Sequence, residues 1–439
     1  MTISRDLTAP MTFGQLSVLR SMQYNSSRGE SMAWAEGNSP DVWDLPDDCN
    51  IPGVQSAWRR LRLANQGLRT VYEWRAGAPT QTVQPFRSST VDTVEIDRDS
   101  RVRAEEIAAE LSRPLISIDV EHPWRCVIAT YQGKPRFLCL TWHHIAVDDL
   151  AVASLREQFD HLLAGRSLPK IIQPAELARD ERFPADRTAR TIEYWARSWT
   201  EFAEQDRAGE DDTERVQAGI YSTVAIPAIH AISDRLAVSP QTVTLGATYV
   251  VLSRLLGRSR ITLGLQSSNR FDKAREPIVA SMTQLAPLTT VAAGDVHPDA
   301  FLLDLNTRCA EAYLHGSYHV DLLRERLVAD GVANPEPMEF DCYFNFVDPP
   351  EFAPAPDSPM ATSVEWLQAN RQTGPRFRLL LATGDGLLAV LRSSHTYLDR
   401  AGIAGFLTGL EAALVDLADR RPDTVDQIRF EPIRPTPLT

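Results

Sequence analysis

The chain has 439 residues, of which 43% are hydrophobic and 23% charged, and a formal net charge of −13. This length and composition fit two domains of roughly 200 residues each and exclude a single small core. The acidic balance argues against a nucleic-acid surface. With no run of about 18 apolar residues and no charged-then-apolar leader, neither a membrane span nor a signal peptide is expected, and the protein is expected in the cytoplasm.

In chain order, residues 54–65 predict a helix with Val54, Trp58, Leu61 and Leu68 near one face, and "LRTVYEWR" then alternates like a strand. A strand follows at 89–97 and a helix at 103–114, stopped before Pro114. "WRCVIATYQGKPRFLCLTWHHI" reads as a hairpin punctuated by Gly133 and Pro135, and a helix after Asp149 runs to near Gly165 through Ala151, Leu155, Phe159 and Leu162. Residues 165–215 are polar and loop-prone, the natural place for a boundary. The expected division is a first lobe over 1–170, a linker over 171–215 and a second lobe over 216–439. In the second lobe Ser239 caps and Pro240 opens a helix ending at Gly257, followed by the strand "RITLGLQ". Another strand is read at 337–348, a Pro-rich loop in "PPEFAPAPDSPMA", a strand–turn–strand unit in "RFRLLLATGDGLLAVLRSSH", and a final helix at about 400–420. No internal repeat is visible.

The five cysteines are odd in number and show no CxxC spacing. Cys126 and Cys139 lie in apolar strand-like runs and read as reduced core residues. The arginines of "RRLRLANQGLR" (59–69) and "RTAR" (187–190) fall at helix-like or loop spacing without interleaved aromatics and read as solvated faces.

"LTWHHIAVDDLAV" (140–152) sets two histidines and two aspartates between a buried strand and an amphipathic helix. On a strand, His143 and His144 point to opposite faces, which disfavours a shared metal, and the HExxH spacing is absent; no metal site is expected. There is no GxSxG elbow either, so a serine hydrolase lacks its signal. Acyl transfer from an already activated thioester needs no protein nucleophile, only one positioned base and something to hold an oxyanion, and a histidine suits the first task. The plainer reading is a hydrogen-bonded core histidine, with Asp148 or Asp149 capping the next helix. The residues alone leave both readings open.

The pattern resembles the condensation-domain superfamily of nonribosomal peptide synthesis, whose signature is HHxxxDG; here it stands as "HHIAVDD", with Asp149 in place of glycine. "TFGQLSVLRSM" is similar to the opening SxxQxxxW segment, "ANQGLRTVYEW" to RHExLRTxF, and "HPWRCVIA" to the strand before the histidines. "VSPQTVTLGATYVVLSRLLGRSRITLGLQSSNR", "IVASMTQLAPLTT" and "YLHGSYHVDLL" are similar to motifs of the second half, with Gln284 where the family has Asn and His319 where it has Pro.

The resemblance spans about residues 12–425 and implies an α/β (α+β sandwich) fold: two chloramphenicol-acetyltransferase-like lobes in a V around a tunnel. It implies an acyltransferase that needs no bound cofactor and takes its donor acyl group from the phosphopantetheine arm of a carrier protein. No nucleic acid or membrane partner is implied. His144 is the catalytic candidate, and His143 is structural. Asp148 is expected to form a buried ion pair with Arg69, whose loss of one partner would cost about 3–5 kcal/mol. Asp149 would narrow the tunnel, repel an oxyanion, bind an acceptor ammonium or turn away as a cap. Ser267, Ser268, Asn269 and Asn345 are expected to line the tunnel, and "EWLQANRQTGPRF" to reach from one lobe over the other. The leading reading is a free-standing enzyme that forms an amide between a carrier-bound acyl or aminoacyl thioester and an amine in natural-product biosynthesis. Ester formation with an alcohol, and a non-catalytic docking module that recruits a partner enzyme, are the alternatives; a cyclising relative would replace the first histidine with aspartate.

Overall fold

The computed structural model describes residues 7–27, 34, 37–75, 77–182, 185–202, 214–332, 335, 340–347, 363–369 and 374–429. The first elements in chain order are β1 (Leu7–Pro10), α1 (Phe13–Ser27), β2 (Asn38–Asp44), α2 (Ile51–Ala64), β3 (Thr70–Glu73), β4 (Thr80–Val83), β5 (Asp92–Glu95) and α3 (Arg101–Ser112). They continue with β6 (Trp124–Tyr131), β7 (Lys134–His143), α4 (Asp149–Leu163), α5 (Pro174–Asp180), α6 (Ala185–Ser198), β8 (Arg215–Ser222), α7 (Ala225–Leu236), α8 (Pro240–Leu255), β9 (Arg260–Ser267) and β10 (Gln284–Val291). The last are α9 (Pro298–Leu314), α10 (Val320–Ala329), β11 (Cys342–Val347), β12 (Glu365–Leu367), β13 (Phe377–Thr383), β14 (Leu387–Ser394) and α11 (Arg400–Asp419).

These elements pack into two units, and the boundaries differ from the expected contiguous ones. The first unit takes the described residues within 1–193, 268–284 and 317–337; the second takes those within 194–267, 285–316 and from 338 on. The expected linker at 171–215 carries α5 and α6. It read as loop because charged residues dilute its apolar signal, and the two later segments join the first unit through contacts far apart in sequence.

The first unit holds a four-stranded sheet, β2-β7-β6-β5, and a three-stranded one, β1-β4-β3. β6 and β7 form the expected hairpin around Gln132 and Gly133, both at positive φ (51° and 72°), which matches the right-handed strand twist. β7 is buried almost throughout because helices cover both faces. Phe137 and Cys139 pack with Ala104, Ile107 and Ala108 of α3. On the other face Trp142 lies 6.0 Å from the ring of Trp58 on α2, and Trp43 of β2 lies 5.4 Å from Phe159 on α4. This two-sided burial carries the strand straight to its last residue, His143.

The second unit is a seven-stranded sheet, β10-β9-β11-β13-β14-β8-β12. α8, capped as expected by Ser239 accepting from the Thr242 amide, is buried on every side from Thr242 to Ser253. α11 is by length and composition apolar enough to cross a bilayer, but Ile403, Phe406, Leu407, Leu410, Leu414 and Leu417 are packed inside this unit, Phe406 edge-on to Phe377 at 5.2 Å. β12, from "EWLQANRQTGPRF", pairs antiparallel with β8 in the same sheet; residues 370–373 of that stretch lie outside the described residues, as does the Pro-rich loop at 349–361. Among the described residues none of the five cysteines forms a disulfide, and Cys139, Cys309 and Cys342 are buried.

Candidate functional site

The site is assembled where β7 hands over to α4. His143 is fully buried, pairs with Asn38 across β2, and accepts the Ile145 amide at Nδ1 (3.2 Å). His144 is half-buried; its backbone N–H donates to the Gly37 carbonyl at 2.7 Å, and its Nδ1 lies 2.9 Å from the Val147 carbonyl. An amide can only donate to nitrogen and a carbonyl can only accept, so His143 accepts at Nδ1 while His144 donates from Nδ1, and in their neutral forms the two rings take opposite tautomers. Neutral His144 in this arrangement has its lone pair on Nε2, as a general base requires.

Asp148 holds this junction in place. Its side chain caps α4 by accepting the Ala151 amide at 3.0 Å, and its carboxylate is engaged in both directions by Arg270, with Nη1 to Oδ2 and Nη2 to Oδ1 each at 2.8 Å. Oδ2 also accepts from the Met282 amide (2.8 Å) and from the amide and hydroxyl of Thr283 (3.1 Å each). Burial alone would raise the Asp148 pKa; the Arg270 charge and hydrogen bonds, joined by the backbone amides, outweigh it and hold the carboxyl below its usual value.

The expected partner was Arg69, and the structure corrects this. Arg69 donates Nη1 to the Gln84 carbonyl at 2.8 Å, while the cation against Asp148 is Arg270. Arg69 follows α2 in a short 3-10 turn and continues into β3, so its path leads to the β4 exit and not to the α4 N-terminus. Arg270 was missed as a site residue, although it stands in the motif segment "SSNR" that carried part of the resemblance. Besides Asp148 it binds the carbonyls of Ser268 (3.3 Å), Ile278 (3.2 Å) and Ala280 (3.0 Å), stapling the 268–284 segment.

The remaining candidates divide between the units. Asn269 takes the left-handed conformation (φ 56°), is buried, and donates its amide to the Met282 carbonyl at 2.8 Å, so it shapes the Arg270 loop. Ser268 accepts the Arg270 amide weakly at 3.4 Å. Ser267 ends β9, buried, and Asn345 lies half-buried on the neighbouring β11; both belong to the second unit. Asp149 is the first residue of α4 and exposed, and Asp148, not Asp149, is the cap. Its carboxylate sits at the positive end of the helix dipole. Gln284 uses its extra methylene to bind the Ser17 hydroxyl and Tyr318 carbonyl (2.8 Å each) and to accept the Tyr318 amide (3.2 Å). His319 caps α10 by accepting the Leu322 amide at 3.4 Å.

With this geometry established, comparison with known proteins is direct. The family model for the Condensation domain matches residues 22–358. Tyrocidine synthase 3 of Brevibacillus parabrevis is 25% identical over 319 residues, 70% of this chain, and the chain spans 5% of that synthase's length. Among solved structures, the condensation domain of the Monacolin K polyketide synthase MokA superposes with a TM-score of 0.76 at 16% identity, covering 96% of this chain and all of that one. The X-domain from teicoplanin biosynthesis gives a TM-score of 0.75 at 16% identity over 98% of this chain and 99% of that one. The two-lobed mixed α/β architecture, the HHIAVDD junction and the family match agree: the chain belongs to the condensation-domain family.

Proposed function

We propose that this protein joins a carrier-bound acyl or aminoacyl thioester to an amine, with His144 as the base. The amine nitrogen attacks the thioester carbonyl and loses its proton to Nε2 of His144. The C–S bond then breaks, and the same nitrogen returns the proton to the departing thiolate of the phosphopantetheine arm. The observation that carries this reading is how His144 is held: its Nδ1 lies 2.9 Å from the Val147 carbonyl, its backbone is tied to Gly37, and the helix beside it is anchored by Asp148 and Arg270. A base held this way is poised before substrate arrives. Asp149, exposed in the first turn of α4, supports pairing with a cationic acceptor such as the ammonium form of the amine.

The test is a reconstituted assay with a loaded carrier protein and amine and alcohol acceptors offered side by side. Wild-type protein is expected to form the amide, with His144→Ala lowering the rate about 10²–10⁴-fold. No product from the wild type, or equal product from both proteins, refutes the reading; ester formed in preference to amide moves it to the alcohol acceptor.

A second reading, a non-catalytic module that docks a partner enzyme, draws on the same Asp149 carboxylate and on the likeness to the X-domain. Stable co-purification of an oxygenase without acyl transfer would select it.

A further inference from the structure

The arginine-rich stretch at 59–69 reads from sequence as a solvated face, and part of it is not. Arg62, on the last turn of α2, is 2% exposed, with its guanidinium carbon 5.1 Å from the Trp124 ring centre and 5.5 Å from that of Phe86. Nη2 of Arg62 donates to the Arg87 carbonyl and Nη1 to the Ser89 hydroxyl, both at 2.8 Å. On the same Trp124, His122 stacks at 5.9 Å with the rings 10° from parallel, and the Trp124 indole N–H donates to the Leu68 carbonyl, in the residue before Arg69. The Arg62 guanidinium and the His122 imidazole thus meet at Trp124, and the charges of Arg69, from the turn after α2, and of Arg87, beyond β4, act on the same imidazole.

In an acidic chain this gathering needs an explanation. Among the described residues no carboxylate pairs with Arg62, Arg69 or Arg87. The nearest acids in sequence to His122 are engaged elsewhere, Asp119 with Arg75 and Glu121 with Arg125. The aromatic faces offset part of the charge but supply no hydrogen-bond acceptor in the guanidinium plane. Nε of Arg62 and Nε of Arg69 are both buried with no acceptor among the described residues. Burial followed by the charges of Arg62, Arg69 and Arg87 lowers the His122 pKa, the response of an imidazole in a positive local potential. The cluster is reachable: Arg87 and Ser89 are exposed, and Arg69 and His122 are half-buried.

We propose that Arg69, Arg87 and His122, with the buried charge of Arg62 behind them, form a binding site for a phosphate group. A tetrahedral oxyanion with up to two charges accepts from several forked guanidinium donors at once, whereas one carboxylate would neutralise a single cation and leave the others facing each other. Neutral His122 adds an N–H donor and takes up a proton when the anion arrives. The group could come as free inorganic phosphate or on a phosphopantetheine arm; the site stands on the cluster itself, and only the second source rests on the condensation reading.

The experiment titrates the full chain at low salt with inorganic phosphate, 4′-phosphopantetheine and pantetheine, by calorimetry and by NMR of the His122 ring. Saturable binding of a phosphate-bearing probe, no binding of pantetheine, and an upward shift of the His122 titration midpoint are expected. Arg69→Gln and Arg87→Gln should each weaken binding roughly tenfold. Arg103→Gln, at an exposed pair with Glu106, should leave it unchanged. Phosphopantetheine binding at least tenfold tighter than phosphate identifies the arm as the source; equal affinities identify free phosphate. The proposal is overturned if neither phosphate probe saturates, if pantetheine binds as tightly as its phosphate, or if the folded Arg69→Gln/Arg87→Gln double variant binds like wild type. These readouts need no acyl transfer, so failure of the condensation assay and failure of this site are separate results.

Discussion

Replacing Arg270 with Met tests whether the Asp148 ion pair holds the HHIAVDD junction. The substitution keeps most of the aliphatic volume and removes a cation that is 2% exposed, facing a carboxylate that is also 2% exposed. Asp148 would keep its bonds from Ala151, Met282 and Thr283 but would be a buried charge without a counter-ion, and the carbonyls of Ser268, Ile278 and Ala280 would lose their donor. Breaking one side of such a pair costs about 3–5 kcal/mol. Asp148→Asn combined with Arg270→Met removes both charges, so the double variant should be about 2–3 kcal/mol more stable than the sum of the single effects. Urea unfolding followed by tryptophan fluorescence measures the cycle, with hydrogen exchange at the Ala151 and Met282 amides as the local report.

The pH dependence of that cycle has a definite sign. In wild type the Asp148 pKa is held low, so its contribution is present above the unfolded value of about 3.9 and is lost as pH falls through the lower folded value. Without Arg270, burial dominates and the pKa rises, so the penalty is full at neutral pH and fades in acid. The gap between wild type and Arg270→Met should therefore narrow as pH falls. A cost below about 1 kcal/mol, or coupling below about 0.5 kcal/mol, would refute the assigned role.

Gly14→Ala places a Cβ 2.4 Å from the Ser281 carbonyl oxygen and 2.6 Å from the Met282 Cα. Both are backbone atoms of the segment that donates to Asp148, so a loss of about 1–3 kcal/mol in unfolding experiments is expected. Glu181, which accepts the Phe13 amide at 2.8 Å, is pushed up to about 7 by burial, partly offset by that hydrogen bond. Its contribution to stability is full below the unfolded value of about 4.3 and is lost as pH rises through about 7. Thermal unfolding between these limits should show wild-type stability declining with pH and Glu181→Gln flattening the decline; parallel curves would count against it.

What was legible in the sequence was local. α2, α8, α4 and the β6–β7 hairpin follow from apolar spacing, from Ser239 and Pro240 at a helix start, and from Gly133 at a turn that requires positive φ. The HHIAVDD junction was legible too, since a strand end, a cap and a helix start are written in consecutive residues. Hidden from the sequence were α5 and α6 in a charged stretch, the division of the units, and the partner of Asp148. The chain offers many arginines, and a carboxylate's pairing depends on which of them the fold delivers through contacts far apart in sequence. Here the fold brings Arg270, 122 residues away, and sends Arg69 to the Gln84 carbonyl. Local preferences act over a few residues and can be read from them; burial and charge pairing depend on what the rest of the chain brings into contact, and only the tertiary structure decided them.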